Sequence, residues 1–336
     1  MKKTIALVTG GFSGESVISY KSAVTINNNI DPEKWTCCTI DINPAGWFYI
    51  APDDEKFPVD KNDFSIKVKN KKINFDAVLI GLHGTPGEDG KLQGYLDCLQ
   101  IPYTSCDAAT SAITFNKRYT VAVAAFGGLH VAKSMHVFRH TPVSQDKILK
   151  SLKLPVFVKP NNGGSSIGMS KVNNEEHLME ALDKAFREDD QVLIEEFIKG
   201  REFTVGVFKA RGEVIVLPIT EIISKKEFFD YEAKYAGASE EVTPANIVEG
   251  MAEKIRDAAS QAYAIFNCKG IVRIDFIYEE ISGNPYMLEI NTVPGQSEAS
   301  IIPQQVRAMG WTLRDFYSAL IEECLAKYTS DIETIV

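Results

Sequence analysis

The chain has 336 residues and a mass of 37.2 kDa, more than one small core needs, so two or three packed units are expected. Hydrophobic residues at 45% and charged residues at 24% exclude a disordered chain, and no apolar run approaches the roughly 18 residues of a membrane span. Lys and Arg number 36 against 45 Asp and Glu; the net charge of −9 argues against nucleic acid as the main partner while leaving room for a local cationic pocket.

The apolar run Thr4–Val8 follows two lysines and is too short for a signal peptide; it reads as a buried first strand ending in Gly10-Gly11. A helix over Glu15–Asn28 follows, then strands over Trp35–Ile42 and Phe75–Leu82, the last apolar throughout as a strand covered on both faces should be. Gly90–Gln100 carries Leu92, Leu96 and Leu99 at helical spacing. This alternation predicts a parallel sheet whose ligand crevice lies beyond the carboxyl ends of its strands, where Gly10-Gly11 and His83-Gly84 fall.

Beyond residue 105 the pattern changes. A helix is predicted over Ala108–Gly127, a strand over Val156–Lys159, a glycine–serine loop over Asn161–Gly168 and a strand over Ile167–Val172. A helix over Glu175–Arg187 and a strand over Gln191–Phe197 complete an α+β unit. Two β runs follow, Glu202–Lys209 and Glu213–Ile222, then a polar stretch 224–246 and a helix over Ile247–Phe266. Strands over Gly270–Tyr278 and Tyr286–Asn291 come next, with turns at Arg211-Gly212 and Ser282-Gly283-Asn284, before a terminal helix. The fold class is therefore α/β with α+β lobes, in three parts: 1–105, 106–195 and 196–336. The six cysteines form no CxxC pair, which fits reduced cytoplasmic thiols and no structural zinc.

Neither glycine-rich loop satisfies GxGxxG, and Walker A, HExxH and GxSxG are all missing. Four polar clusters remain at strand ends. Lys159 closes an apolar strand before Asn161–Gly168, a loop suited either to phosphate or to a plain solvated turn. Glu195, Glu196, Phe197 and Ile198, with Glu202 beyond, place acceptors beside an aromatic, as an adenosine would require or as a strand end commonly shows. Arg273 and Asp275 share one face of a strand, as do Glu289 and Asn291, so a hairpin would bring hard oxygen donors beside an arginine and suit Mg²⁺. His83 opens a loop with four glycines that leads into a helix N-terminus, a place for either a structural or a functional histidine.

Taken in order over nearly the whole chain, these segments resemble the D-alanine–D-alanine ligases of the ATP-grasp superfamily. The matching stretches are Gly10–Glu15, His83–Gly94, Pro102–Thr104, Asn116-Lys117, Val158–Met169, Leu193–Val205, Phe229–Tyr235, Arg273–Asp275 and Glu289–Gly295. The resemblance implies a three-lobed ATP-grasp architecture with an N-terminal parallel-sheet domain. It implies ATP-dependent joining of two D-alanines through an acyl phosphate, for peptidoglycan, in a cytoplasmic homodimer without nucleic-acid or membrane partners.

Residue by residue, the resemblance implies that Glu15 holds the ammonium of the first D-alanine, with His83 near its carboxylate. Lys117, Lys159 and Lys234 grip ATP phosphates, and Glu195, Glu196, Phe197, Ile198 and Glu202 line the adenosine pocket. Asp275, Glu289 and Asn291 bind two Mg²⁺ or Mn²⁺, while Arg273 and the Gly295 N–H stabilise the oxyanion. Ser300 and Ile301 meet the second D-alanine, and Ser165 and Tyr235 join Glu15 in a triad that closes a lid over 224–246. The sequence departs from the family pattern at Asn161-Asn162-Gly163, Phe229 and Glu298, which bear on the lid and the second subsite. Two other readings are an ATP-grasp ligase for a different acid and nucleophile, D-lactate among them, and a nucleotide-binding protein without catalysis. The pair Lys234-Tyr235 favours D-alanine, and the intact Arg273 and metal donors favour catalysis.

Overall fold

The computed structural model describes residues 2–164, 167–224 and 239–335. Its first sheet contains β1 (Lys3–Gly10), β2 (Trp35–Asn43), β3 (Gly46–Ile50), β4 (Lys56–Asp60), β5 (Ser65–Val68), β6 (Lys71–Ile73) and β7 (Ala77–Ile80), in the order β6-β5-β4-β3-β2-β1-β7. The predicted parallel pairing holds at the centre, where β1 lies between β2 and β7. The antiparallel meander β3–β6 extends it on one side, built of short, half-exposed strands with little apolar pattern. Ile5, Ala6, Leu7 and Val8 are wholly buried between helices, which is why β1 carries no polar residue there. Helix α1 (Ser16–Asn29) turns Ser19, Ser22, Ala23 and Ile26 inward, and α2 (Lys91–Cys98) packs Leu92 and Leu96 beside β1 and β7.

The single helix expected over 108–127 is two: α3 (Ala108–Phe115) and α4 (Lys117–Phe126). Asn116 between them is extended, and its side chain accepts from the Tyr119 N–H to cap α4. Lys117 thus begins a new helix.

The next sheet is antiparallel, β11-β10-β12-β9, from β9 (Ser134–Phe138), β10 (Val156–Pro160), β11 (Ser170–Val172) and β12 (Gln191–Glu196). Helices α5 (Gln145–Ser151) and α6 (Leu178–Glu188) join it, the latter after a 3₁₀ turn at Glu175–His177. Leu178, Leu182 and Ala185 of α6 cover Val156, Val158, Val192 and Ile194. Period-two alternation then turns Phe157, Lys159, Leu193 and Glu195 to the opposite face.

The third sheet runs β16-β15-β13-β17-β18-β8. Its strands are β8 (His130–Val131), β13 (Arg201–Ala210), β15 (Thr220–Ser224), β16 (Ser239–Val242), β17 (Val272–Glu279) and β18 (Asn284–Asn291), with β14 (Glu213–Val216) paired to β13. The expected run Glu213–Ile222 is split because Pro218 lacks a ladder donor. The Arg211-Gly212 turn forms as predicted, with positive φ at both residues. Part of the proposed lid stretch, Ser239–Val242, is an edge strand on β15; 225–238, including Phe229, Lys234 and Tyr235, lie outside the described residues, as does Ser165.

Helix α7 (Glu249–Ile265) packs on this sheet, and α8 (Ile301–Ala308) and α9 (Leu313–Ile335) return to the first. Phe316, Tyr317 and Leu320 share one core with Ile5, Leu7 and Leu79 of the first sheet and Phe208 of the third. That shared core brings the loop after β7 against the segment after β18. Among the described residues, no helix is long and apolar enough to cross a membrane.

Candidate active site

Between the polar face of β10 and β12 and the third sheet lies a cavity of about 450 Å³. Lys159 and Glu195, from paired strands, meet on its floor with Nζ 2.5 Å from Oε2. Burial by itself lowers the Lys159 ammonium, but attraction to Glu195, with Glu289 and Glu202 beyond, outweighs it and the net shift is upward. The lysine is therefore a fixed cation. Phe157, Phe197, Ile198, Leu193 and Ile222 supply apolar walls. Lys171 lies 4.3 Å over the Phe197 ring, and Glu202 and Glu221 place acceptors at the rim, Glu221 already forked by Arg201 at 2.7 and 2.8 Å. Glu196 lines the cavity too, but its carboxylate accepts from the Lys153 N–H at 2.9 Å. Lys117 reaches in from the start of α4, its Nζ donating to the Gly163 carbonyl at 2.7 Å.

At the far end stand β17 and β18. Their register sets Asp275 opposite Glu289 and Arg273 opposite Asn291, the convergence that strand periodicity predicts. Arg273 forks onto Asp275 through Nε at 2.9 Å and Nη2 at 2.8 Å, with Glu289 Oε1 at 3.8 Å from Nη2. Burial would lower the guanidinium, yet Asp275, Glu289 and Glu88 together raise it further. Thr204 of β13 also donates to Asp275, and the Asn291 Nδ2 is buried without a hydrogen-bond partner among the described residues. Two carboxylates and the amide oxygen of Asn291 form a hard-oxygen set of the kind that fits a divalent cation, while the unpaired Nδ2 is a donor left for an anionic oxygen. No third His, Cys, Asp or Glu joins them among the described residues. An elongated apolar pocket, a buried cation on its floor and a cation-competent acidic end together suit a nucleoside triphosphate.

Two family models cover the chain: D-ala D-ala ligase N-terminus over residues 4–106, and D-ala D-ala ligase C-terminus over 117–322. The chain belongs to the D-alanine–D-alanine ligase family. A D-alanine–D-alanine ligase of Flavobacterium johnsoniae is 44% identical over 324 residues, 96% of this chain and 100% of the relative. One from Phocaeicola vulgatus is also 44% identical, over 96% of this chain and 99% of its own. Among solved structures, the VanG D-Ala:D-Ser ligase from Enterococcus faecalis superposes with a TM-score of 0.87 at 30% identity, covering 96% of this chain and 99% of that one. A D-alanine–D-alanine ligase from Bacillus anthracis complexed with ATP gives 0.78 at 26% identity, over 98% and 99%.

Glu15 and His83 follow the carboxyl ends of the neighbouring strands β1 and β7. Glu15 begins α1, and its carboxylate is wedged between two glycines: a Cβ on Gly84 would stand 2.6 Å from Oε2, and one on Gly164 2.7 Å from Oε1. Gly84 also has a φ of +67°, so the backbone angle there favours glycine, and any side chain would push the Glu15 carboxylate and the Ser13 hydroxyl aside. His83 is buried, with Nε2 3.0 Å from Ser22 Oγ and a further bond to the Val293 backbone. Burial, partly offset by that backbone bond and reinforced by Arg273, pushes its pKa down to about 4. The imidazole is neutral at physiological pH. Ser300 stands at the N-cap position of α8 without a side-chain capping bond, its Oγ pairing with Ser297 Oγ at 2.7 Å, and lies against Gly295, where an added Cβ would be 2.9 Å from Oγ; Ile301 follows as the first helical residue. Glu298 forms an ion pair with Arg307.

Sequence reasoning passed over Glu88, which accepts from the Gly84 N–H at 2.7 Å and bonds the Val293 backbone. Burial first, then repulsion from Glu15, raise its pKa to about 8 despite those bonds and Arg273. It also passed over Thr204 and Glu221, whose only sequence signal was a polar residue on an inward strand position. Lys117, Lys159, Glu195, Glu196, Phe197, Ile198, Glu202, Asp275 and Glu289 all line one cavity.

Proposed function

We propose that this chain joins two molecules of D-alanine into D-alanyl-D-alanine, converting ATP to ADP and phosphate, to supply peptidoglycan synthesis in the cytoplasm, where it works as a homodimer. The observation that carries the reading is the single cavity lined by the Lys159–Glu195 pair and by Asp275 and Glu289, with Arg273 forked onto Asp275, in a chain of this family. Adenine and ribose lie between the apolar walls with Glu195, Glu196, Phe197, Ile198 and Glu202 around them, and Lys117, Lys159 and Lys234 take the phosphates. Asp275, Glu289 and Asn291 would hold two Mg²⁺ or Mn²⁺, which when bound would neutralise phosphate charge.

The first D-alanine places its ammonium on Glu15, with the neutral His83 beside its carboxylate. That carboxylate attacks the γ-phosphorus, forming an acyl phosphate and releasing ADP. The second D-alanine, carboxylate on Ser300 and flank on Ile301, attacks the acyl carbon with its neutral amine. Negative charge then grows on the carbonyl oxygen, where Arg273 and the Gly295 N–H meet it, and collapse of the tetrahedral intermediate expels phosphate. Arg273 is suited to this because Asp275 holds its guanidinium in one plane before substrate arrives. Ser165 and Tyr235 complete the triad with Glu15 and hold water out of the site, since an acyl phosphate hydrolyses readily.

The test is phosphate release from ATP with D-alanine, L-alanine, D-serine and D-lactate, the products identified by mass. Turnover with D-alanine alone, giving the dipeptide, is the expected result. Preferential D-alanyl-D-serine or D-alanyl-D-lactate would assign the second subsite to another nucleophile, and no turnover with any would end the reading.

A further inference from the structure

The first turn of α4 has four backbone N–H groups that no residue of α4 itself can accept, and that of Thr120 goes to the Asn116 carbonyl at 2.9 Å. The Tyr119 N–H goes to Asn116, the usual local cap. The other two go elsewhere: the Lys117 N–H to the Asn161 carbonyl at 3.1 Å, and the Arg118 N–H to Asn161 Oδ1 at 2.9 Å. Asn161 lies on the loop just after β10, two residues beyond Lys159, and is only 1% exposed. Its own N–H donates to the Gln191 carbonyl at 2.9 Å, which seats it on β12 as well. One buried residue therefore caps a helix from outside that helix and ties it to the two strands bearing Lys159 and Glu195.

Its neighbours strengthen the same join. Asn162 accepts from Asn116 Nδ2 at 3.3 Å and donates to Asp189 through its backbone and side chain, at 2.9 and 2.7 Å. Lys117 Nζ donates to Gly163 at 2.7 Å.

We propose that Asn161 is a positioning residue for the triphosphate: by capping α4 across the gap it fixes where Lys117 stands relative to Lys159. The inference rests on the phosphate roles proposed above for those two lysines. A lysine at the first position of a helix moves with that turn, and a first turn whose N–H groups are unpaired frays. Water cannot replace the lost oxygen at so enclosed a position without opening the join. Substitution should then harm binding of the phosphates and spare the nucleoside, whose walls come from Phe157, Phe197 and Ile222.

The experiment is calorimetric titration of the full chain with ATP and, separately, with adenosine, for wild type, Asn161→Ala, Asn161→Asp, Lys117→Ala and Lys159→Ala. Asn161→Ala should weaken ATP about tenfold and leave adenosine within about twofold, the size expected from displacing one charged contact. Asn161→Asp keeps an acceptor at a helix N-terminus and should return ATP affinity to within about threefold of wild type. If Asn161→Ala is not recovered folded, Asn161→Leu, close in size to asparagine but without an acceptor, carries the same comparison. Equal loss for ATP and adenosine, or no rescue by aspartate, would make Asn161 a structural residue only and overturn the inference. The two lysine variants separate the levels: if they weaken ATP selectively while Asn161→Ala does not, the inference alone fails. If they leave ATP binding unchanged, the phosphate reading fails with it.

Discussion

Glu88 makes stability depend on pH in a direction opposite to that of most carboxylates. Its pKa is raised from an ordinary 4.5 to about 8, because burial and Glu15 outweigh the Gly84 N–H, the Val293 backbone and Arg273. Between those two values the folded chain keeps a proton that the unfolded chain has released. The unfolded state therefore binds fewer protons, and stability falls as pH rises through that window. The limiting slope is ~1.4 kcal/mol per pH unit, and the residue is only half-buried, so screening reduces it and a loss of roughly 1–2 kcal/mol is expected between pH 6 and pH 8. Glu88→Gln copies the neutral acid, keeps an oxygen for the Gly84 N–H and removes the titration. His83, already neutral across the window, does not confuse the comparison. Thermal midpoints of both proteins, measured side by side from about pH 5.5 to 9, should converge or cross in favour of Glu88→Gln at the alkaline end, by ~2–4 °C relative to their difference at pH 6. Midpoint curves that stay parallel, or a wild type that gains on the variant as pH rises, would refute a protonated Glu88.

Arg273→Lys replaces the fork on Asp275 by a point charge; turnover should fall at least ~100-fold while the ATP KM changes less than ~3-fold, and a defect confined to KM would make Arg273 a binding residue only. Glu289→Gln removes charge opposite Asp275 and should raise the Mg²⁺ concentration for half-maximal rate about tenfold or more; an unchanged Mg²⁺ titration would exclude Glu289 as a ligand. Gln305 is wholly buried, accepting from the Gly206 N–H at 3.0 Å and donating to the Thr204 carbonyl and Thr220 Oγ1, both at 3.0 Å. Gln305→Leu leaves these groups unpaired beside the strand that steadies Asp275, so urea unfolding should show a loss of ~2–4 kcal/mol, and a loss below ~0.5 kcal/mol would mean the network relaxes freely.

What the sequence displayed well was chemistry carried on a strand. Arg273, Asp275, Glu289 and Asn291 could be placed together because period-two alternation and one short turn determine both face and register. Lys159 and Glu195 were each visible as a polar end to an apolar run, although nothing local said that their strands are neighbours. The β3–β6 meander was missed for the converse reason: its strands are short and half-exposed, so alternation has almost no apolar face to mark.

The break at Asn116 is of another kind. Both flanks, Ala108–Phe115 and Lys117–Phe126, have helical character, and an unbroken helix satisfies every local preference. What stops it is a competing acceptor, Asn161, arriving from a different sheet to take the N–H groups of Lys117 and Arg118. Glu88 follows the same logic. In the sequence it is one acid beside another, Asp89, on a glycine-rich loop; it holds a proton only because the fold buries it and brings Glu15 near, which together outweigh the opposing pull of Val293 and Arg273. Both residues act through partners distant in sequence, and the core shared by β1, β7 and α9 is what makes the second meeting possible. Local pattern places a charged group on a face; whether that group is free to serve a ligand depends on which backbone N–H groups the fold has already aimed at it. For Asn161 those N–H groups belong to the helix that carries Lys117, so the same contact that ended a predicted helix also holds one of the lysines proposed for the phosphates against the cavity.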